Sequence, residues 1–309
     1  MKIKSLTVLI ALLLSINLVS AQHIEKQIDA IFTEAYPANA PGATVLIAQD
    51  DKVIYRKAFG MANLELNVPM NPEHVLELAS ITKQFTSVAI LMLMEQGKLS
   101  LEDPLSKYIE DYPKGKEVTI HHLLNHTSGI KSYTDIPSFR QMARTDMTPI
   151  EIINKFKDLP MDFEPGERYA YNNSAYILLG YIIEEVSGMS YEDYIQKNIF
   201  DKLGMKNSYY GSQSRIILNR ASGYQPSGES YENAEYLSMT LPYAAGSLMS
   251  TVDDMLLWSK AIHRNTLISE RSKQLAFTNY TLNNGKNINY GYGWGINKLA
   301  GITSIEHTG

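Results

Sequence analysis

The chain has 309 residues, of which 44% are hydrophobic and 20% are charged, and its formal net charge is −5 at pH 7. This composition is typical of a globular protein and argues against long disordered regions. The chain contains no cysteine, which excludes thiol nucleophiles, thiolate metal sites and disulfides. The mildly acidic charge, without a long basic run, argues against nucleic acid as a partner.

The N-terminus has the pattern of a secretory signal peptide. Two lysines precede an apolar run over residues 6–18, and small residues follow as far as Ala21. The apolar run is shorter than the roughly 20 residues that a membrane-spanning helix needs, which argues against a permanent anchor. We therefore expect residues 1–21 to be removed on export, which would leave a periplasmic or secreted protein without a stable membrane anchor.

The first part of the mature chain predicts a helix followed by a β-hairpin. Residues 23–36 have helical periodicity, with one apolar face that comprises Ile24, Ile28, Ile31 and Phe32. Two apolar runs, 43–48 and 53–59, are separated by the polar residues 49–52, which predicts a hairpin.

A central helix is predicted over residues 80–96. Its apolar side chains cover nearly the whole circumference, which indicates a helix buried on all sides, and Gly97 follows as a C-terminal cap. Ser80 would therefore lie at the start of a buried helix.

The remaining chain predicts shorter helices and then strands. The predicted helices cover residues 119–125, 148–156, 174–186, 191–203 and 251–262, and the predicted strands cover 290–296 and 301–308. Strands at both ends with helices between them predict an α+β fold, in which an antiparallel sheet built from distant segments is flanked by helices. A single domain over 22–309 would combine a sheet lobe (about 22–78 and 243–309) with a mostly helical lobe (about 79–242) and a cleft where they meet.

The start of the central helix carries the tetrad Ser80-Ile81-Thr82-Lys83. Positions i and i+3 of a helix share a face, so the lysine amine can reach the serine hydroxyl. A serine hydroxyl is a weak nucleophile that needs such a base, and burial of the lysine can keep its amine neutral. The plainer interpretation is a helix-capping serine with a solvated lysine.

A second match to the same pattern is Ser128-Gly129-Ile130-Lys131. Such a pattern arises by chance about once in a chain of this length. Because Gly129 lies where a predicted helix ends, this serine and lysine would not share a helical face. We therefore favour Ser80 and Lys83.

Two further groups of residues fit a hydrolytic site. Tyr171 and Asn173 have the i, i+2 spacing that directs side chains to one side of an extended chain, although a surface loop with Asn173 as a helix cap is the plainer interpretation. His307-Thr308-Gly309 follows a strand-like run, where it would otherwise be a strand end, and the glycine would let a ligand approach closely.

In this order and separation, the three groups resemble the active-site motifs of the class C β-lactamase and D-alanyl-D-alanine carboxypeptidase superfamily of serine hydrolases. The resemblance runs from about residue 24 to the end of the chain. The flanking segments that also resemble the family are residues 121–129, 163–166, 178–180, 203–205 and 245–251.

The resemblance implies a role for each site residue. Ser80 would form an acyl-enzyme, while Lys83 and Tyr171 would share the proton transfers, with the acceptor of the first proton left open. Asn173 would hold the substrate, and so would His307, Thr308 and Gly309 on an edge strand. The backbone N–H of Ser80 would be one oxyanion donor.

The sequence departs from the family pattern in two ways. The third motif commonly begins with lysine, and a neutral imidazole at His307 attracts a substrate carboxylate less than an ammonium does. We therefore expect a D-amino-acid peptidase or a small-ester esterase rather than an efficient β-lactamase. The family also continues beyond Gly309, so we expect a C-terminally truncated chain with an incomplete sheet and a second oxyanion donor beyond its last residue.

Other functional classes receive less support. His121, His122 and His126 lack the acid of an H-E-x-x-H arrangement, so we expect no metal, and no nucleotide-binding motif indicates a cofactor. The expected partner is a small-molecule or peptide substrate, and the sequence gives no oligomeric state. A β-lactamase and a catalytically silent module that binds cell-wall peptide remain as alternatives.

Overall fold

A computed structural model describes residues 23–309, so the predicted signal peptide, residues 1–21, lies outside the described residues. The described residues form two compact units. The first contains the residues up to His74 together with Asn219–Ala234, and the second contains Val75–Leu218 and Glu235–Gly309. The division into a sheet lobe and a helical lobe stays a prediction.

The strands and helices follow one another along both units. The strands are β1 (Ala43–Gln49), β2 (Lys52–Phe59), β3 (Met61–Asn63), β4 (Val68–Pro69), β5 (Leu76–Glu77), β6 (Tyr209–Tyr210), β7 (Tyr224–Ser227), β8 (Ser230–Asn233), β9 (Leu248–Ser250), β10 (Gly295–Leu299) and β11 (Ile302–Glu306). The helices are α1 (23–35), α2 (Thr82–Glu95), α3 (Ile120–Leu124), α4 (Phe139–Met142), α5 (Pro149–Ile153), α6 (Asn173–Ser187), α7 (Tyr191–Ile195), α8 (Asp201–Leu203), α9 (Tyr243–Gly246), α10 (Val252–His263) and α11 (Glu270–Ala276). Short 3₁₀ turns cover Ala79–Ile81, Leu105–Lys107 and Tyr133–Asp135, and a π-helical turn, Gln196–Phe200, joins α7 to α8.

The strand pairing is antiparallel throughout the named sheets. Strands β1–β2, β3–β4, β7–β8 and β10–β11 form two-stranded sheets, and β5, β9 and β6 form a three-stranded sheet in that order. The α+β class with antiparallel strands is therefore confirmed, as is the first hairpin, in which Ala43 lies opposite Phe59. Over residues 23–309 the strands pair in separate small sheets rather than in the single sheet that was expected.

The first unit joins α1 to the β1–β2 hairpin through polar and aromatic contacts. Asp29 of α1 accepts a hydrogen bond of 2.8 Å from the Lys57 amine, and Phe32 stacks on Phe59 with ring centroids 5.6 Å apart. The predicted apolar face is wrong in part, because Ile24 and Ile31 are 52% and 62% exposed. Periodicity predicted the helix correctly, but the contacts with Lys57 and Phe59 of β2 determine which residues of the helix are buried.

The core of the second unit is built around α2 and α6. Every residue of α2 from Thr82 to Leu93 is buried, which confirms the prediction of a helix apolar on nearly all sides. Helix α6 packs against both α2 and α9. Its Gly180 permits the close approach to α9, because a Cβ atom at this position would lie 2.4 Å from the Cβ of Ala244.

The predicted strand over residues 290–296 is largely wrong. The backbone N–H of Gly291 donates to the carbonyl of Trp294 at 2.8 Å, and Gly293 has a φ of 84°. The segment therefore turns, and β10 begins only at Gly295. Buried aromatic residues alternate with glycine in this segment, which imitates the period-two pattern of a strand.

The predicted helices of the middle region are present with slightly different ends, and the predicted strand over 301–308 contains β11. Among residues 23–309, no helix combines the length and the apolar character that crossing a membrane requires.

The contact at Gly180 predicts a stability effect. Replacing Gly180→Ala should lower the free energy of unfolding by about 1–3 kcal/mol, because the added methyl group overlaps Ala244 and Tyr243 across the α6–α9 contact. The control is Glu185→Ala on the exposed side of the same helix, where we expect a change within about 0.5 kcal/mol. Urea unfolding measures both values, and equal stability of the two variants would contradict this account.

Candidate active site

A strained turn places Ser80 just before α2. Leu78, which follows β5, donates its backbone N–H to Leu248 of β9 at 2.9 Å, and Ala79 then has a φ of 44°. Positive φ is uncommon for a residue with a Cβ and is often found at functional sites. Ser80 therefore lies on a 3₁₀ turn, and the α-helix begins two residues later than the sequence predicted.

Lys83 projects from the first turn of α2 into the protein interior, where it is fully buried. Its Nζ lies 3.0 Å from Ser80 Oγ, 2.9 Å from Asn173 Oδ1 and 2.8 Å from the carbonyl oxygen of Ala245. All of these neighbours are uncharged oxygen atoms. Burial without a counter-ion lowers the pKa of Lys83 from 10.5 to about 7.

Tyr171 covers the other side of the lysine amine. Its ring centroid lies 4.8 Å from Lys83 Nζ, and its hydroxyl interacts with the side chain of Ser80. Burial raises the pKa of Tyr171 to about 12, and the Ser80 contact opposes this shift. The phenol therefore carries its proton at neutral pH.

The two asparagines after Tyr171 have different tasks. Asn172 is the N-cap of α6, because its side chain accepts the N–H of Ala175 at 2.9 Å. Asn173 is the first residue of the helix, and its amide oxygen accepts from Lys83. The helix is thus capped by Asn172 and not by Asn173, and the side chain of Asn173 contacts the Lys83 amine.

The third motif lies beyond the ring of Tyr171. The ring centroids of His307 and Tyr171 are 6.1 Å apart. His307 Nδ1 lies 2.6 Å from the carbonyl oxygen of Thr308, so this nitrogen must be the donor, and Nε2 accepts from the Tyr290 hydroxyl at 2.8 Å. Burial lowers the pKa of His307, which fits this neutral tautomer.

Thr308 and Gly309 are exposed after the end of β11. A Cβ atom at Gly309 would lie 2.8 Å from the carbonyl oxygen of Leu78, two residues before Ser80. The end of the described chain is thus packed against the turn that carries the serine, in a place that suits glycine.

The second tetrad is not assembled. Lys131 donates to Asp162 at 2.9 Å, and Ser128 accepts the backbone N–H of Ile130. Because Gly129 has a φ of 73°, this segment leaves the helical conformation and separates the two side chains. The structure thus brings together Ser80, Lys83, Tyr171 and Asn173, and it directs Lys131 to another partner.

The clustered histidines are held by other groups. His121 lies 2.6 Å from the Tyr292 hydroxyl, and His122 caps α3 together with Thr119. Over residues 23–309, no three His, Cys, Asp or Glu side chains lie close enough to hold a metal ion.

Some of the residues that shape the site escaped the sequence analysis. Ala245 contacts Lys83 through its backbone carbonyl, and the identity of its side chain does not reveal such a contact. Tyr290 falls in a segment predicted as a strand, and His126 falls both in the histidine group and in the segment 121–129 that resembles the family, without a role of its own. Both rings lie in the aromatic cluster around Tyr171: the His126 and Tyr171 centroids are 4.4 Å apart, and those of His126 and Tyr290 are 4.8 Å apart.

An apolar cavity of about 180 Å³ opens beside Ser80. Apolar side chains form most of its wall, and they are contributed by Tyr133, Phe139, Leu237, Met239, Pro242 and Ala245. Such a cavity suits an apolar group attached to a reacting carbonyl.

Comparison with known proteins places this geometry in a family. The Beta-lactamase family profile matches residues 28–309. Penicillin-binding protein 4* of Bacillus subtilis (strain 168) is 32% identical over 297 residues, which are 88% of this chain and 63% of that protein. The chain thus spans less than two thirds of that curated relative.

Two solved structures are similar over most of the chain. The octameric penicillin-binding protein homologue from Pyrococcus abyssi is 34% identical with a TM-score of 0.74, over 92% of this chain and 67% of that one. A penicillin-binding protein from Bacillus halodurans is 31% identical with a TM-score of 0.72, over 85% and 81% of the two chains.

The environment of Lys83 predicts an unusual titration. In protein labelled with ¹³C at the lysine Cε atoms, the NMR signal of Lys83 should titrate near pH 7, so the neutral amine predominates above that pH. Lys131 provides the control, because its contact with Asp162 raises its pKa. The low-pH transition should disappear in Lys83→Met, and a Lys83 signal that titrates with the exposed lysines would contradict the burial argument.

Proposed function

This chain belongs to the Beta-lactamase family, and from that premise we propose that it is a serine hydrolase that works through an acyl-enzyme on Ser80. One observation carries the proposal: a buried lysine amine, which has no counter-ion among residues 23–309, lies 3.0 Å from the serine hydroxyl. The family assignment agrees with the resemblance in the sequence. The roles assigned to single residues below are our proposals.

We propose that Lys83 is the base for acylation. A neutral amine has two N–H donors and one lone pair. Asn173 Oδ1 and the Ala245 carbonyl accept the two donors, so the lone pair is left for the hydroxyl proton of Ser80. As Ser80 Oγ bonds to the substrate carbonyl carbon, this proton moves to Lys83 Nζ.

Tyr171 then serves as the proton donor to the leaving group. Its pKa of about 12 keeps the phenol protonated at neutral pH, which favours a donor over a base. As the bond to the leaving group breaks, the phenol proton passes to the leaving atom, and the Lys83 ammonium beneath the ring restores it. Water later releases the acyl group with the same residues in reverse roles.

The site favours a D-amino-acid peptide or a small ester as substrate over a β-lactam. Burial lowers the pKa of His307, so its ring lacks the positive charge that would attract the carboxylate of a β-lactam. Among peptides, the same argument favours those whose C-terminal carboxyl group is blocked. The apolar cavity beside Ser80 would receive the side chain of the acyl group. The backbone N–H of Ser80 would stabilise the oxyanion.

We also propose that the protein acts outside the inner membrane, in the periplasm or as a secreted protein. The support for this location is the signal-peptide pattern of residues 1–21. Retention of the protein in the cytoplasm after expression with its own N-terminus would contradict it.

Exchange of each candidate serine tests the nucleophile. Ser80→Ala should abolish labelling by a fluorophosphonate and hydrolysis of p-nitrophenyl esters or D-Ala-D-Ala peptides, because no acyl-enzyme forms. Ser128→Ala should leave both largely intact, since Lys131 is paired with Asp162. The reverse pattern would show that the second tetrad is the active one, and a wild-type protein without label at Ser80 would favour the silent binding module.

The cavity predicts a preference for apolar acyl groups. Among esters of one alcohol, kcat/KM should rise by about tenfold when the acyl side chain grows from methyl to isobutyl or benzyl. Leu237→Asp should remove this preference, because it replaces an apolar side chain of the cavity wall by a carboxylate, in addition to that of Glu77. The matched control is Leu218→Asp, at a side chain that is 73% exposed. A flat dependence on acyl size in the wild type would refute the role of the cavity.

A further inference from the structure

His126 is a fully buried histidine next to the proposed site, and the mechanism above does not use it. Its φ of 62° is uncommon for a residue with a side chain. His126 follows the end of α3, and its imidazole lies against the ring of Tyr171, with ring centroids 4.4 Å apart. Strained backbone conformations cluster at functional sites, so a functional role for this buried histidine is worth testing.

The contacts of His126 lie on both sides of Tyr171 in the sequence. The backbone N–H of Ala170 donates to the carbonyl oxygen of His126 at 3.0 Å. The backbone N–H of Asn172 donates to His126 Nδ1 at 3.1 Å. One residue thus binds the backbone immediately before and immediately after the phenol, and its ring also packs on the phenol ring.

The tautomer of the ring follows from these contacts. Because Nδ1 accepts a hydrogen bond, a neutral His126 carries its proton on Nε2. Nε2 has no hydrogen-bond partner among the described residues, although it is buried. An unpaired buried N–H weakens a fold, so the acceptor on Nδ1 is the useful part of this side chain.

We propose that His126 is a positioning residue that fixes Tyr171 for proton transfer through the acceptor at Nδ1. This inference rests on the proposed function, because it assumes that Tyr171 moves a proton. The same contact fixes Asn172, the cap of α6, and therefore the start of the helix that presents Asn173 to Lys83.

The ring must stay neutral for this task, because a protonated Nδ1 would point a donor at the N–H of Asn172. Burial holds the pKa of His126 well below its ordinary value, and the positive charges of Lys83 and His307 would act in the same direction. The titratable groups around the ring are Lys83, His307, Tyr169, Tyr171, Tyr176 and Tyr290.

Two amide variants separate the acceptor from the rest of the ring. The Oδ1 of asparagine occupies the place of Nδ1, whereas the amide of glutamine reaches the place of Nε2. His126→Gln should lower kcat by about 100-fold with little change in KM, as expected for a misplaced catalytic group. His126→Asn should keep most of the wild-type kcat, because asparagine retains the acceptor and also tolerates positive φ.

A double-mutant cycle with Tyr171→Phe tests whether His126 acts through the phenol. In the Tyr171→Phe background, His126→Gln should lower kcat by a clearly smaller factor than in the wild type, because the phenol that it misplaces is already gone and only the placement of Asn173 is still affected. The same fold-loss in both backgrounds, or equal losses in His126→Gln and His126→Asn, would overturn the proposal. Rates are normalised to the concentration of folded protein that circular dichroism reports.

An NMR measurement on the wild type tests the hydrogen bond from Asn172 to His126 Nδ1 even if His126→Gln does not fold. In protein labelled with ¹⁵N-histidine, the His126 signals, assigned by their loss in His126→Asn, should show protonated Nε2 and bare Nδ1 from about pH 5 to about pH 9. A protonated Nδ1 would refute the inference. A wild type that hydrolyses no substrate and takes no label at Ser80 would instead refute the proposed function, and the tautomer would still be measured.

Discussion

The arrangement of the site depends on the buried amine of Lys83, which has no counter-ion in the part of the chain that the structure describes. Lys83 is surrounded by oxygen atoms of Ser80, Asn173 and Ala245, none of which carries a charge. An ammonium in such a place is costly because it has lost its hydration, so the pKa falls to about 7 and the neutral amine predominates above that pH. The 3.0 Å distance to Ser80 is the reason for proposing this amine as the base of the reaction.

Three helices of the second unit meet to create this environment. Helix α2 supplies the amine, the first residue of α6 supplies the amide of Asn173, and α9 supplies the carbonyl of Ala245. The close approach of α6 and α9 depends on Gly180, which has no side chain in the contact. Packing of these helices therefore sets the positions of polar atoms to within hydrogen-bonding distance.

The aromatic residues around the amine complete the site from other segments. Tyr171 contacts both Lys83 and Ser80, and the imidazole of His126 supports its ring from beneath. Tyr290 lies 2.8 Å from His307 Nε2, and burial lowers the pKa of His307. The rings of His126 and Tyr290 are buried, whereas that of Tyr171 is 40% exposed and forms the boundary with solvent.

The sequence by itself determined the local features of this protein. The apolar circumference of α2, the i, i+3 spacing of Ser80 and Lys83, and the order of the three motifs were all visible, because each depends on residues close together in the chain. Such local patterns can also mislead. The strand predicted at 290–296 was largely wrong, because the alternation of aromatic residues with glycine does not distinguish a strand from a buried turn.

Only the tertiary structure decided which of these local patterns meet. The choice of Ser80 over Ser128 stays a hypothesis, which the pairing of Lys131 with Asp162 supports. The capping role that spacing left open for Asn173 belongs to Asn172. Ala245 contributes a backbone carbonyl that no side-chain pattern reveals. The lowered pKa of Lys83 arises from burial among residues distant in sequence, and packing alone creates that environment.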